Sequence, residues 1–203
     1  MEADMKYELK NIKTLNTHEG VAWTASVYKD GKRIGTAEDR GDGGSSWLYL
    51  DNRADEDALV AWCAEASKNS GLWMAQYATE TIKTHHVGGE KNGTETYELR
   101  FNDYMALAYL MEVSDLNKRA KKHIIFRVPN GNDPLTHVDT HDTYTLSGQS
   151  MATATPASVA SALVYITSKH SNAEIWDFRD HAWVSASAML EDMRGYLPAQ
   201  VGA

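Results

Sequence analysis

The stretch VAWTASVYKDGKRIGTAE, residues 21–38, constrains the fold more than any other segment of the chain. Val21, Trp23, Ala25 and Val27 alternate with Ala22, Thr24, Ser26 and Tyr28, which is the period of a strand with one apolar and one mixed face. Asp30-Gly31 follows, a dipeptide that tolerates positive φ and so closes a two-residue hairpin, and a second strand-like run begins at Lys32. A hairpin patterned in this way belongs to an antiparallel sheet covered on one side.

The flanking segments extend that sheet. Residues 6–15 read as a preceding strand, and WLYL at 47–50 as a short fourth strand beyond the glycine-rich RGDGGSS, residues 40–46. Asp51 or Asn52 is placed to cap a helix running to about residue 68, with Leu59, Trp62, Cys63 and Ala66 inward at i, i+3, i+4 and i+7. A second helix is expected around LWMAQYATETI. IKTHHV and TETYELRF then form another hairpin across the glycine-rich turn at residues 88–93. The run YMALAYLM, residues 104–111, is apolar nearly all round, so a helix capped by Asn102 or Asp103 should be buried on several sides and end in NKRAKK.

HIIFRV reads as a buried strand, PNGNDP as a loop and residues 136–146 as a Thr-rich alternating strand. Thr155-Pro156 opens a helix with Val159, Ala162, Leu163 and Ile166 as its inner stripe, closed by Lys169 and His170. AEIWDF is another strand. A last helix over about 183–194 turns Ala186, Met189, Leu190 and Met193 inward and stops at Gly195 and Pro198. This order predicts an α+β fold with mainly antiparallel sheets and helices packed on one face. Each half holds a hairpin followed by a helix, so the expected division is into lobes 1–100 and 101–203, with one continuous domain as the alternative.

Composition narrows the function classes. With 28 Asp and Glu against 20 Lys and Arg, the net charge of −8 argues against a protein that coats duplex DNA, while leaving open a surface that imitates nucleic acid. The single cysteine, Cys63, excludes an intrachain disulfide framework and a cysteine-based zinc site, which points to a reducing, cytoplasmic setting. The opening MEADMKYELKNIKTL has no apolar stretch of signal-peptide length and no run reaches membrane-helix length, so no membrane partner is expected.

Four local patterns invite chemistry. In HVDTHDTY, residues 137–144, His137, Asp139 and His141 occupy alternate positions and would share one face of a strand about 6–7 Å apart, a plausible set for zinc or manganese. A fourth ligand would come from His85, His86 or His181, and Asp142 would then be a candidate base in metal-assisted hydrolysis. SGQSMA resembles the start of a nucleophile elbow, but the following helix begins several residues late. RGDGGSS could cradle a small anion such as a nucleotide in successive backbone amides, although it lacks the P-loop ending. KRAKKH suits either nucleic acid or the C-terminal end of a helix, and the chain's acidity favours the latter. Cys63 beside Trp62 reads as a packed thiol, with no basic neighbour to activate it.

The segment YELKNIKTLNTHEGVAWTASVYKDGKRIGTAEDRGDGG carries three recurring elements: the opening ELKNIK, the A-x-V-Y-x-D-G-K-x-x-G hairpin and the G-x-G-G loop after the third strand. In these it resembles a hairpin-rich domain of small bacteriophage and prophage accessory proteins, over about the first 65 residues. The resemblance implies a phage accessory protein and supplies no catalytic residue. Together with the acidic charge it implies stoichiometric binding to a host protein, such as a nucleic-acid-binding enzyme or a defence complex. Glu38, Asp39 and Asp42 around the glycine loop, with Trp47 as an aromatic anchor, are the expected partner-binding residues. The competing readings are the hydrolase at His137, Asp139 and His141, and sequestration of a small anion by the glycine loop.

Overall fold

The asparagine at position 52, two residues past the last strand of the first sheet, starts a helix: its side chain accepts a hydrogen bond from the Ala54 amide at 3.0 Å, capping the first helix. That junction sits within the first of two compact units, Met1–Ser114 and Asp115–Ala203. The computed structural model describes residues 6–72, 74, 78, 82–87, 94–99, 101–132, 139–147 and 150–197.

In the first unit, strands β1 (Tyr7–Asn16), β2 (Val21–Lys29), β3 (Lys32–Asp39) and β4 (Trp47–Leu50) form an antiparallel meander in sequence order. Asp30 and Gly31 close the β2–β3 hairpin with φ of 50° and 77°, as their residue types suggest. A bulge between Lys10 and Lys13, with Asn11 at φ 55°, lets β1 continue alongside β2. Helix α1 (Arg53–Ser67) packs against the sheet, where Tyr7, Leu9, Ala25, Val27 and Ala37 are buried and the Tyr7 and Trp62 rings lie 5.6 Å apart. Lys29 bridges the two layers. Its ammonium meets Asp55 of α1 at 2.9 Å and lies over the Tyr7 ring, and the Asp55 hydrogen bond holds its pKa above the usual lysine value.

The inner face of α1 differs slightly from the expected stripe. Leu59 and Cys63 are fully buried and joined by Ser67, whereas Trp62 and Ala66 are half-buried at the flank. Burial pushes the Cys63 thiol well above its ordinary pKa, consistent with a packing role. Val21, the first residue of the alternating stripe, is half exposed.

The expected second hairpin is present as β5 (Ile82–Val87) paired in register with β6 (Thr94–Leu99), from Ile82 opposite Leu99 to Val87 opposite Thr94. Its turn at 88–93 and most of the helix expected near residues 72–82 lie outside the described residues. Helix α2 (Asp103–Ala120) is capped by Asn102, whose side chain accepts from the Met105 amide at 3.0 Å. Met105, Ala106, Leu107, Tyr109 and Leu110 are buried, as an all-round apolar run requires.

The second unit is a four-stranded antiparallel sheet in the order β10-β9-β7-β8, made of β7 (His123–Asn132), β8 (Asp139–Ser147), β9 (Glu174–Asp177) and β10 (Ala182–Ser185). Helices α3 (Pro156–Lys169) and α4 (Ala186–Asp192) pack on one face over Ile124, Phe126, Leu163, Ile166, Ile175 and Ala186. Thr155 caps α3 and Pro156 is its first residue, and all four members of the expected inner stripe are buried. On the sheet's opposite side the Trp176 indole donates to Asn117 near the end of α2 at 3.0 Å, and its ring meets Trp183 edge-on at 5.5 Å.

Two boundaries differ from expectation. Residues 129–132, read as loop from PNGNDP, continue β7, because β8 pairs with them across a bulge between Pro129 and Gly131. Proline is tolerated there since β9 pairs only with Phe126 and Arg127, so β7 is an edge at Pro129. The last helix begins at Ala186, because residues 182–185 pair with β9 and set Trp183 opposite Trp176. Ser185 then caps α4 through the Ala188 amide.

Candidate partner-binding face

Alternation assigns the two sides of the first sheet. Leu9, Val27, Ala25, Ala37, Leu48 and Leu50 share the α1 side, and Lys10, Ser26, Thr24, Thr36, Glu38, Trp47 and Tyr49 share the other. Trp47 pairs with Glu38 and Tyr49 with Thr36, so the outward side chains of β4 stand beside those of β3. Trp47 remains 51% exposed and Tyr49 47% exposed, although both are large aromatics. The Gly35 Cα lies so near β4 that a β-carbon there would come within 2.2 Å of the Tyr49 carbonyl oxygen, which holds this strand tightly in place.

Polar groups organise the aromatic pair. The Tyr49 hydroxyl lies 3.3 Å from the Glu38 carboxylate, and the Arg40 guanidinium sits 3.6 Å from the same carboxylate and 5.9 Å over the Trp47 ring. A shallow depression of about 300 Å³ continues along the same face, lined by Asn11, Lys13, Thr24, Ser26, Thr36 and Glu38. β4 is the terminal strand of the sheet, so its outer backbone edge has no strand partner among the described residues.

The four expected partner-binding residues separate into two pairs. Glu38 and Trp47 are cross-strand neighbours on the outer face. Asp39 falls on the other side of β3, and its carboxylate is committed: one oxygen accepts from the Gly41 amide at 2.8 Å and the other from the Ser46 hydroxyl at 2.7 Å. Asp42 is exposed and turns back to accept from the Gly44 amide at 3.0 Å. These bonds also fill the glycine loop, since two of the amides that would cradle an anion already face the chain's own carboxylates. The loop is pinned further by the Thr17 hydroxyl, which donates to the Gly41 carbonyl at 2.7 Å. Tyr49 and Arg40 escaped the sequence reading. The W-x-Y spacing of β4 was the available signal, because residues two apart in a strand share a face.

His137 lies outside the described residues, and Asp139 and His141 are placed as backbone in β8 without described side chains. Among the described residues no three His, Cys, Asp or Glu side chains gather as a metal site. Asp142, the candidate base, is exposed and lies 3.5 Å from the Tyr144 hydroxyl. Ser150, the serine of SGQSMA, is buried: its hydroxyl donates to the Ala120 carbonyl at 2.8 Å and accepts from the Ala152 amide, so it ties a turn to the end of α2. No described helix is long and apolar enough to cross a membrane.

No family model, curated protein or solved structure matches the chain.

Proposed function

We propose that this chain is a phage accessory protein that acts by stoichiometric binding to a host macromolecule, inhibiting a host enzyme or defence system. The observation that supports this most is the aromatic pair Trp47 and Tyr49, half exposed on one face of an edge strand with Glu38 between them and the sheet centre. Rigid aromatics with a polar rim are the residues that dominate protein interfaces, since they bury large area at small entropic cost. The edge of β4, which has no strand partner among the described residues, adds backbone donors and acceptors that an extended partner segment can pair with. Net charge of −8 favours a basic partner surface. The phage setting rests on the resemblance of the N-terminal hairpins.

Affinity capture from host lysate, followed by titration with the identified protein, tests this reading. The wild-type chain should retain one partner at a fixed ratio, and the double variant Trp47→Ala, Tyr49→Ala should lose it while unfolding within about 0.5 kcal/mol of wild type, as exposed positions do. Undiminished capture by the double variant would refute the assignment of this face.

A further inference from the structure

The second unit holds a pocket of about 700 Å³, within the range of cavities that enclose small organic ligands. Its inner wall is apolar. Met151, Val159, Met189 and Met193 contribute, and these side chains also pack on the core between the sheet and the helices α3 and α4. Methionine suits such a wall, because its unbranched thioether adapts to ligands of irregular shape.

Charge at the pocket is unbalanced in one direction. Asp177 is buried in the wall at 4% exposure, and both its oxygens are taken by Arg179, at 3.1 Å from Nε and 2.8 Å from a terminal nitrogen. Burial by itself pushes the Asp177 pKa up, but the hydrogen bonds from the Arg179 side chain and backbone outweigh it and hold the carboxyl below its ordinary value. The guanidinium is thus held chiefly by this one carboxylate, with a weaker pull from the charge of Asp180, so one cation stands against three lining carboxylates. Arg194, next along the chain from the Met193 wall, is likewise paired with Glu191. Asp180 and Asp192 also line the pocket and carry the charge that remains. Phe178 and Tyr196, the latter 56% exposed, also line the pocket and bring aromatic rings, a residue type that attracts cations.

We propose that this pocket binds a small free organic cation, an apolar body bearing one protonated amine. The apolar body lies on the methionine wall and the ammonium on the side of Asp180 and Asp192. An anionic ligand of the same shape meets those carboxylates unfavourably, and a neutral one gains nothing from them. This site shares no residue with the β4 face and does not depend on the reading proposed for it.

Calorimetric titration of the full chain with 4-phenylbutylammonium, 4-phenylbutanol and 5-phenylpentanoate tests the proposal. The ammonium should bind with a Kd about tenfold or more below that of the carboxylate, with the alcohol between them. Ala188→Trp, at an exposed position on the lining, should fill the pocket and weaken the ammonium about tenfold or more. Asp180→Asn with Asp192→Asn, both exposed, should leave the alcohol unchanged and bring the ammonium close to it. If Ala188→Trp lowers the melting temperature too far for titration, the double Asn variant decides alone. Equal affinity for ammonium and carboxylate, binding of none of the three, or selectivity unchanged in the double Asn variant would each overturn the proposal.

Discussion

Asp177 shows how much a single residue's meaning depends on its partner. A buried carboxylate is costly unless paired, and here the pairing residue is only two positions away, so a short turn solves the problem locally. Because the folded pKa of Asp177 is lowered, its ionised form favours the native state at neutral pH, and that contribution is lost as pH falls through the acidic range below the unfolded value near 4. Arg179→Ala leaves the buried carboxylate unpaired. Urea unfolding should therefore show the variant clearly less stable than wild type at pH 7, with the gap narrowing as pH falls below the unfolded value near 4 and protonation removes the charge that Arg179 pairs. A gap of constant size across that range would mean that the pair contributes through packing rather than charge. Asp39 teaches a related lesson. As a sequence feature it looks like one more surface acid beside Glu38, yet its oxygens are spent on Gly41 and Ser46. The Asp-x-Gly spacing is the local signal that such a side chain organises a turn.

At the scale of elements, short-range chemistry was legible and long-range pairing was not. Asp30-Gly31, Asn52, Asn102 and Thr155-Pro156 each specify a turn or helix start through groups within a few residues, and each does so in the structure. By contrast, Pro129–Asn132 has a loop's composition and becomes strand only because β8 lies beside it. Residues 182–185 are compatible with either period, and pairing of Trp183 with Trp176 decides for strand. The same limit applies to the pocket, whose lining joins residues of 151–159 to residues of 177–196 through long-range packing that no local pattern announces. Helix α3 offers a direct check of the packing account. Leu163→Ala should cost about 2–5 kcal/mol in urea unfolding, whereas Tyr165→Ala, on the exposed side of the same helix, should cost within about 0.5 kcal/mol.

For the molecule as a whole, the antiparallel α+β architecture supplies two distinct surfaces: an outward sheet face with an aromatic edge in the first unit, and a methionine-lined pocket in the second. The excess of 28 acidic over 20 basic residues acts at longer range than either. If a basic host surface is the partner, stopped-flow association should slow about tenfold between 50 mM and 500 mM salt, since screening shortens the reach of the field, while dissociation changes far less. A salt-independent association rate would remove charge steering from the account. The central claim, that the β4 face is where the chain meets its partner, is tested most directly by amide hydrogen exchange of the full chain with and without the captured protein. Slowed exchange concentrated in residues 47–50 and the adjoining end of β3 is the predicted result; unchanged exchange there, with protection elsewhere, would contradict it.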